Sequence, residues 1–472
     1  MGLKIYNSIT KRKEEFVPIT PGRVSMYVCG PTVYGPTHVG HARSYVNFDV
    51  VFRFLEFLGY KVKYVQNITD VGHLVGDGDD GEDKIAKQAK KENIDPFEVA
   101  YKYECLYFDT MRELNVKRPS ISVRATGCIP EMIKMVQTII DKGYGYVTKE
   151  GNVYFDVHKF PTYGSLANRS LTQTKSGERI EVATDKKNPE DFALWKHAEK
   201  GHLMKWESPW GVGYPGWHLE CSTMSKKFLG DTFDIHGGGL DNIFPHHESE
   251  IAQSEVANGK PFVHYFMHNN LITVNGTKMG KSLNNFITLE DLFSKVNPMW
   301  VRFFILNFHY RSPIDFTIDA INKAGEQYEK LNEIINLIRS KVGDKKQKVT
   351  SPDLVEISEK IVAAMEEDFN TPVAISELIK LPKIAKAALE SENLVKICEI
   401  NSIFADFAEN VLGLTFSVSG AQTCNNGTKE AELLKIINEI RSELRAEKNY
   451  ALSDKIRDQV AALGIKQNDS KL

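Results

Sequence analysis

Long hydrophobic runs are missing from this sequence of 472 residues. It contains no stretch of roughly 18 or more apolar residues, so we expect no membrane-spanning helix. The amino terminus, MGLKIYNS, has the features of neither a signal peptide nor a myristoylation site. These absences favour a soluble protein of the cytoplasm.

The sequence also contains few cysteines and carries little net charge. Six cysteines are spread far apart, which is too few for a disulfide framework in a chain of this length. The formal net charge is only -3 and no dense Lys/Arg tract occurs, so composition gives no electrostatic sign of a nucleic-acid-binding protein. A hydrophobic fraction of 42% is ordinary for a globular protein and excludes a fibrous or wholly disordered chain.

A β–α–β pattern is present near the amino terminus. Residues 24–29 read as a strand, a loop rich in glycine and proline follows, and apolar residues recur at helical spacing from His41 to Leu58. Residues 60–68 then alternate as a second strand. This order predicts a parallel sheet and the α/β fold class. Because no GxGxxG follows the first strand, a generic dinucleotide-dependent dehydrogenase is excluded.

Along the remainder of the chain, the type of predicted secondary structure changes. Residues 143–206 carry short alternating runs and turn signals, which predict a β-rich insertion. A parallel-sheet pattern resumes with DTFDIHGGGLD. Beyond residue 319 nearly all segments are amphipathic and helical, including one predicted helix at residues 372–390. Short connections between such helices indicate an antiparallel bundle.

Three short motifs carry side chains suited to binding a nucleotide. His38 and His41 stand at a predicted helix amino terminus, where backbone N–H groups and the helix dipole attract phosphate. Lys278 and Lys281, in the run KMGKS, provide two positive charges that can clamp a polyphosphate. The run HGGGLD at residues 236–241 lets a ring or ribose approach the backbone beside an acidic residue. Each motif taken alone is more typical of an ordinary surface turn than of a nucleotide site.

A fourth motif has the residue types of a metal site. His246 and Glu250 are four residues apart and share one face of a predicted helix. Cys29 ends the first strand and Cys221 lies shortly upstream, so two thiolates could join them to make a zinc site. The short CxxC spacing of many zinc sites is missing, and ordinary polar side chains on a helix face remain an alternative.

Together and in this order, the motifs resemble those of the class I aminoacyl-tRNA synthetases. The match is most detailed with the cysteinyl-tRNA synthetases and extends over essentially the whole chain. It rests on the segments MYVCGPTVYGPTHVGHAR, YVQNITDV, PEDFALWK, PGWHLECS, FDIHGGGLDNIFPHHESEIAQSE, KMGKSLNNF and DFNTP. The resemblance implies a ligase that activates L-cysteine with ATP and transfers it to the 3'-terminal ribose of tRNA(Cys).

The resemblance also implies roles for individual residues. One zinc ion per chain would select the substrate thiol, bound by Cys29, Cys221, His246 and Glu250. ATP, accompanied by Mg²⁺, would contact His38, His41, Gly239, Asp241, Lys278 and Lys281. The catalytic residues among these are His38, His41, Lys278 and Lys281. The backbone atoms of L-cysteine would contact Gly30, Thr32, Thr69 and Trp217.

The implied fold is a class I Rossmann-like catalytic domain with a parallel sheet, split by an insertion and followed by an all-α helical bundle. We expect a monomer. The expected segments are a first catalytic half (1–142), a connective insertion (143–206), a second catalytic half with the zinc site and KMGKS loop (207–285), a stem-contact region (286–318), a helical bundle for tRNA and anticodon (319–416), a linker (417–428) and a carboxyl-terminal helical hairpin (429–472).

Two alternative functions stay open at this point. A ligase joining cysteine to an amino-sugar would use a similar adenylate-forming core, but a small acceptor needs neither bundle nor hairpin. A non-catalytic RNA-binding relative would not need both histidines, both lysines and all four metal positions. The sequence also departs from the family at Gly280, where serine is usual, and in the acidic segment 72–82, which is longer than the family's turn. We expect looser loop closure at the first and a surface loop at the second.

Overall fold

The computed structural model describes residues 2–74, 81–169, 185–278 and 286–416, together with 437, 440, 441, 444 and 449–462. The chain forms two compact units, Met1–Thr415 and Phe416–Leu472. The strands are β1 Lys4–Asn7, β2 Arg12–Glu15, β3 Arg23–Val28, β4 Lys61–Ile68, β5 Ile121–Arg124, β6 Gly145–Val147, β7 Val153–Phe155, β8 Phe192–His197, β9 Gly213–Pro215, β10 Phe233–Gly239, β11 Val263–Asn269, β12 Ile272–Val274, β13 Thr277–Lys278 and β14 Ile314–Phe316. The α-helices are α1 Val39–Phe57, α2 Lys84–Glu92, α3 Pro96–Glu113, α4 Ile129–Asp141, α5 Trp217–Leu229, α6 Glu248–Asn258, α7 Leu289–Phe293, α8 Pro298–Leu306, α9 Ile318–Val342, α10 Pro352–Glu366, α11 Thr371–Leu378, α12 Leu381–Glu390, α13 Leu394–Ile403 and α14 Tyr450–Ala462.

A parallel sheet lies at the centre of the first unit, which confirms the α/β prediction. Within the described ranges its strands are ordered β11, β10, β3, β4 and β5, and every adjacent pair is parallel. Interior residues such as Val28, Val65 and Ile235 are fully buried, as expected where both faces of a sheet are covered. Because β3 and β10 are neighbours, the two halves of the sheet that the insertion separates in sequence meet there. Their carboxyl ends lie side by side at one edge.

A buried group of charges joins α1 to the helices that follow the sheet. Asp49 of α1 accepts hydrogen bonds from Arg53 at 2.7 Å and from Arg302 of α8 at 2.5 Å. Arg302 is fully buried and also donates to the carbonyl oxygens of Leu114 and Leu412, both at 2.8 Å. A guanidinium without contact to water is tolerated here because its donors have partners. The group thus ties the sheet domain to the end of the bundle.

The described part of the insertion is β-rich, as its alternating pattern indicates. Strands β6, β7, β8 and β9 form an antiparallel sheet. Its last strand, β9, lies beyond residue 206 and leads directly into α5. The strand has only three residues, GYP, which is too short for an alternation pattern to reveal.

Helices α9 to α13 form the region predicted as a bundle. The prediction of a single helix at residues 372–390 is wrong, because the structure has two helices there, α11 and α12. Pro382, at the start of α12, has no N–H to continue a helix from α11. The carboxyl-terminal helix α14 is present, whereas the helix expected before it lies mostly outside the described residues. No helix in the described ranges has the length and apolar character needed to cross a bilayer.

Candidate active site and metal centre

The carboxyl ends of β3, β4 and β10 border a cleft of about 460 Å³. Ligands of open α/β sheets bind outside this edge. Lys278 ends β13, and Lys281 lies outside the described residues. Of the other residues predicted from the sequence, Thr69, Cys221 and Glu250 are buried. Those lining the cleft are Cys29, Gly30, Thr32, His38, His41, Trp217, Gly239, Asp241 and His246.

The four predicted metal ligands come together where β3 meets α5 and α6. Cys29, Cys221, His246 and Glu250 each offer one ligand atom, and these atoms all lie within 4.8 Å of one another. The two sulfur atoms are 3.9 Å apart, and His246 Nε2 is 3.0 Å from Glu250 Oε1. A tetrahedral zinc ion with ordinary bond lengths separates its ligand atoms by about 3.3–3.8 Å. The donor set and its spacing therefore fit a divalent metal ion.

A second combination of side chains meets the same distance limit. It consists of Cys29, His236, His247 and Glu250, and it shares Cys29 and Glu250 with the first, so one ion would use either set. His236 and His247 are fully buried, whereas His246 lines the cleft. An ion held by the first set is therefore the one that a ligand entering the cleft can reach.

The protonation of the cluster depends on whether a cation is present. Burial raises the pKa of the Cys29 thiol well above its ordinary value, with a further contribution from neighbouring Cys221. Burial also raises the pKa of Cys221 to about 11 and raises that of Glu250. These groups are costly to ionise on their own. A divalent ion reverses this preference, because it stabilises the thiolate and carboxylate forms that bind it.

Two buried histidines contact the predicted ligands from behind, and the sequence predicted a place at the metal site for neither of them. His236 Nε2 lies 2.7 Å from Glu250 Oε2, and His218 Nδ1 lies 2.9 Å from His246 Nδ1. Contacts of this kind hold a ligand in place and decide which ring nitrogen faces the ion. With Nδ1 of His246 engaged by His218, its Nε2 is the atom directed at Glu250 and the cluster.

A chain of hydrogen bonds also leads away from Cys29. His247 Nε2 is 3.2 Å from the Cys29 sulfur, and His247 Nδ1 is 2.7 Å from His268 Nε2. His268 Nδ1 in turn lies 2.7 Å from Ser8 Oγ. Burial lowers the pKa of His268 to about 3, so this ring is uncharged at neutral pH. In the sequence, His247 is the second histidine of PHHE and His268 is the histidine that ends YFMH.

The amino terminus of α1 faces the same cleft. His38 is the N-cap residue, and its Nδ1 accepts a hydrogen bond from Gly40 N at 3.1 Å. His41 Nδ1 accepts from His38 N at 3.2 Å, and the two rings stack with centroids 3.8 Å apart. Because both Nδ1 atoms accept, both rings carry hydrogen on Nε2. Burial lowers the pKa of His41 to about 4, so this ring donates without carrying charge at neutral pH.

The glycine run at the end of β10 is needed for packing as well as for access. A Cβ atom added at Gly237 would stand 2.7 Å from Cζ of Phe48, and one at Gly238 would stand 2.6 Å from Cε1 of His247. Such contacts are too close for any side chain. Gly239 alone of the three is predicted to carry a ligand, and it lies at the cleft with Asp241.

A hydrogen-bonded chain connects the residues predicted to contact the cysteine backbone. Gly30 N donates to Asn67 Oδ1 at 2.6 Å, and Asn67 Nδ2 donates to Thr69 Oγ1 at 2.9 Å. The Thr69 hydroxyl donates to Glu220 Oε2 at 2.6 Å, and Thr32 forms a parallel β-bridge with Thr69. Asn67 and Glu220 were missed in the sequence. In the sequence, Asn67 stands out as a polar residue inside a predicted strand, and Glu220 as a carboxylate next to the predicted ligand Cys221.

Known proteins match this chain over its whole length. Residues 15–326 match the family model described as tRNA synthetases class I (C) catalytic domain, and residues 360–417 match the DALR domain. A cysteine–tRNA ligase of Chlorobaculum tepidum is 50% identical over 99% of this chain and 97% of that protein. A cysteine–tRNA ligase of Thermus thermophilus is 45% identical over 100% of this chain and 98% of that protein.

Solved structures share the fold at low sequence identity. Mycobacterium tuberculosis methionyl-tRNA synthetase in complex with methionyl-adenylate aligns with a TM-score of 0.58 and 13% identity over 82% of this chain and 89% of that chain. The ternary LeuRS–tRNA complex from Agrobacterium radiobacter aligns with a TM-score of 0.62 and 11% identity, over 86% and 87%. With a catalytic-domain model covering most of the sequence and full-length relatives 45–50% identical, the chain belongs to the cysteine–tRNA ligase family of class I aminoacyl-tRNA synthetases.

Proposed function

We propose that this chain ligates L-cysteine to tRNA(Cys) in two steps within the cleft at the sheet edge. ATP and cysteine first give cysteinyl-adenylate and pyrophosphate, and the 3'-terminal ribose hydroxyl of the tRNA then attacks the activated carbonyl. One observation carries the proposal. A buried ligand cluster with two thiols and the stacked pair His38–His41 at a helix amino terminus border the same cleft.

Zinc, one ion per chain, is the metal we propose for Cys29, Cys221, His246 and Glu250. When bound, it supplies a soft Lewis acid that takes the substrate sulfur as a thiolate and leaves the hydroxyl of serine as a poor ligand. An apolar pocket alone would separate amino acids this similar by only about 10–200-fold. Two thiol donors and one imidazole in the cluster favour such an ion over Mg²⁺ or Ca²⁺, which prefer oxygen ligands.

His38 and His41 are proposed to bind the phosphates of ATP. Both rings carry hydrogen on Nε2, and the N–H groups of the first turn of α1 lie beside them. Donors already fixed in position stabilise the negative charge that develops as pyrophosphate leaves, without reorganising during the reaction. Lys278 and Lys281 are proposed to bind the departing pyrophosphate, and Mg²⁺ is expected to accompany ATP.

The remaining cleft residues position the other parts of the two substrates. Gly239 provides a flat backbone surface for the adenosine, and Asp241 accepts hydrogen bonds from its sugar or base. Gly30, Thr32 and Thr69 are proposed to contact the backbone atoms of L-cysteine. Trp217 closes this pocket, and its ring stacks on His246 with centroids 4.3 Å apart.

The helical bundle is proposed as the tRNA-binding part of the chain. Its residues 360–417 match the DALR domain, and a ligase for an amino-sugar acceptor would not need it. The relatives that match over the full length are cysteine–tRNA ligases, so the amino-sugar alternative is not favoured. We expect the enzyme to act in the cytoplasm, where translation consumes its product, and as a monomer.

Pyrophosphate exchange with ATP tests the activation step. The enzyme should exchange label in the presence of cysteine but not serine or alanine, and should then transfer cysteine to tRNA(Cys) rather than to an amino-sugar. Cys221→Ser should lose both bound zinc and cysteine-dependent exchange. The matched control is Cys105→Ser, because Cys105 is exposed and far from the cluster in sequence. Exchange that proceeds equally well with serine would refute the proposed role of the metal.

A further inference from the structure

His73 lies at the start of the acidic segment 72–82, for which the sequence predicts a surface loop and of which residues 75–80 lie outside the described part of the chain. Its imidazole stacks on the indole of Trp217, with ring centroids 4.0 Å apart and planes 8° from parallel. The side chain is 7% exposed and lines the cleft with Thr32 and Lys84. A segment predicted to be a surface loop thus contributes a buried side chain to the proposed amino-acid pocket.

Two hydrogen bonds decide which nitrogen of His73 carries its hydrogen. Lys84 Nζ lies 2.7 Å from His73 Nε2, and an ammonium group can only donate, so Nε2 accepts. Nδ1 therefore carries the hydrogen, and it lies 2.5 Å from Thr32 Oγ1. Because the oxygen of Thr32 accepts from His73, the hydroxyl hydrogen of Thr32 is available to another acceptor.

The backbone around His73 is held on both sides. Lys84 N donates to His73 O at 3.0 Å, and Gly72 N donates to Asp83 Oδ2 at 3.0 Å. Gly72 has a φ of +73°, and a Cβ atom there would collide with the carbonyl oxygen of Pro215 at the end of β9. The turn therefore packs directly against β9, the strand that leads into α5, and Trp217 is the first residue of that helix. His73 is a fixed part of this turn.

We propose that His73 is a positioning residue of the amino-acid pocket, which makes the Thr32 hydroxyl a hydrogen-bond donor to the substrate carboxylate and holds Trp217 in place. This inference rests on the proposed function for the contacts of Thr32 and Trp217 with L-cysteine. Of the two charged groups on an amino-acid backbone, the ammonium donates and only the carboxylate accepts. The hydroxyl hydrogen of Thr32, which is not used toward His73, needs an acceptor, and of the two charged groups the carboxylate supplies it. Lys84 acts through His73, because it sets the hydrogen on Nδ1.

The variant His73→Phe tests the inference, because it keeps an aromatic ring beside Trp217 and removes both hydrogen bonds. In cysteine-dependent pyrophosphate exchange we expect KM for cysteine to rise about tenfold, the effect of a weakened hydrogen bond to a charged group. KM for ATP should stay within about twofold, and the zinc content should be unchanged. Lys84→Met should raise the same parameter. The matched control His158→Phe, at a half-exposed histidine of the insertion, should change neither KM.

A double-mutant cycle distinguishes positioning from general damage to the pocket. In a Thr32→Val background the hydroxyl is missing, so adding His73→Phe should cause no further rise in KM for cysteine. Additive effects, or an equal rise in KM for ATP, would overturn the inference while leaving the proposed function intact. A wild-type enzyme without cysteine-dependent exchange would overturn both. Should His73→Phe fail to fold, Lys84→Met combined with Thr32→Val is judged by the same criterion.

Discussion

Replacing Asn67 with alanine should weaken cysteine binding through a defined hydrogen-bond chain. The change removes the acceptor of the Gly30 N–H group, 2.6 Å away, and the donor to Thr69 Oγ1, 2.9 Å away. The Gly30 N–H group is only partly buried, at the cleft, so each of the two lost hydrogen bonds costs about 0.5–1.5 kcal/mol. We therefore expect the free energy of unfolding to fall by about 1–3 kcal/mol. Because Gly30 and Thr69 are proposed cysteine contacts, KM for cysteine should also rise about tenfold.

The neighbouring residue Gln66 provides the control for this prediction. Its side chain is 1% exposed, compared with 2% for Asn67, and it bonds to the hydroxyls of Tyr64 and Tyr107 at 3.1 and 2.8 Å. Urea unfolding should show a similar loss of stability for Gln66→Ala and Asn67→Ala. Pyrophosphate exchange should show a raised KM for cysteine in Asn67→Ala only. An equal rise in both variants would mean that general packing of β4, and not the chain through Gly30 and Thr69, controls the pocket.

Three further predictions concern the metal centre, the buried charges and the bundle. Glu250→Gln should weaken zinc binding by about tenfold or more in competition with a chelator, because an anionic ligand is lost, whereas Glu255→Gln on the same helix should bind zinc normally. Arg302→Met should lower the free energy of unfolding by about 3–5 kcal/mol, because one of the two guanidinium partners of buried Asp49 is removed; an unchanged urea midpoint would contradict this. Burial acts to raise the pKa of Glu399, but hydrogen bonds from Ser351 and Thr350 lower it overall, so its contribution to stability is complete above the ordinary value of 4.5 and is lost as the pH falls through the lowered pKa. Acid titration of Glu399→Gln should therefore show a smaller loss of stability than wild type below pH 4.5, and parallel curves would refute this.

The fold could be predicted from local patterns because each pattern has a direct structural cause. Alternating and continuous apolar runs indicated the parallel strands, and the spacing of His246 and Glu250 placed both on one helix face, where they lie 3.0 Å apart. Pro382 is a sequence signal for the break between α11 and α12, since proline cannot continue a helix. The prediction missed this break because the apolar residues of 372–390 keep their helical spacing across it.

The contacts that complete the site could not be predicted in the same way. His247 is 218 positions from Cys29, and Glu220 is 151 positions from Thr69. No periodicity connects residues so far apart, so their pairing depends on how the two halves of the sheet meet. His73 was concealed for a different reason. It belongs to an acidic, glycine-rich segment whose sequence predicts a surface loop, and only the packed structure shows its ring against Trp217.

Helix α1 runs without interruption from the cleft to the end of the helical bundle. It has 19 residues, a length of about 28 Å, and His38 caps its end at the cleft. Farther along α1, Arg53 donates to the carbonyl oxygen of Asn410, and Asp49 accepts from Arg302 of α8, which donates in turn to the carbonyl oxygen of Leu412. Because no break interrupts α1 between these contacts and the cleft, a shift of the last turns of the bundle would carry the N-cap residue His38 with it.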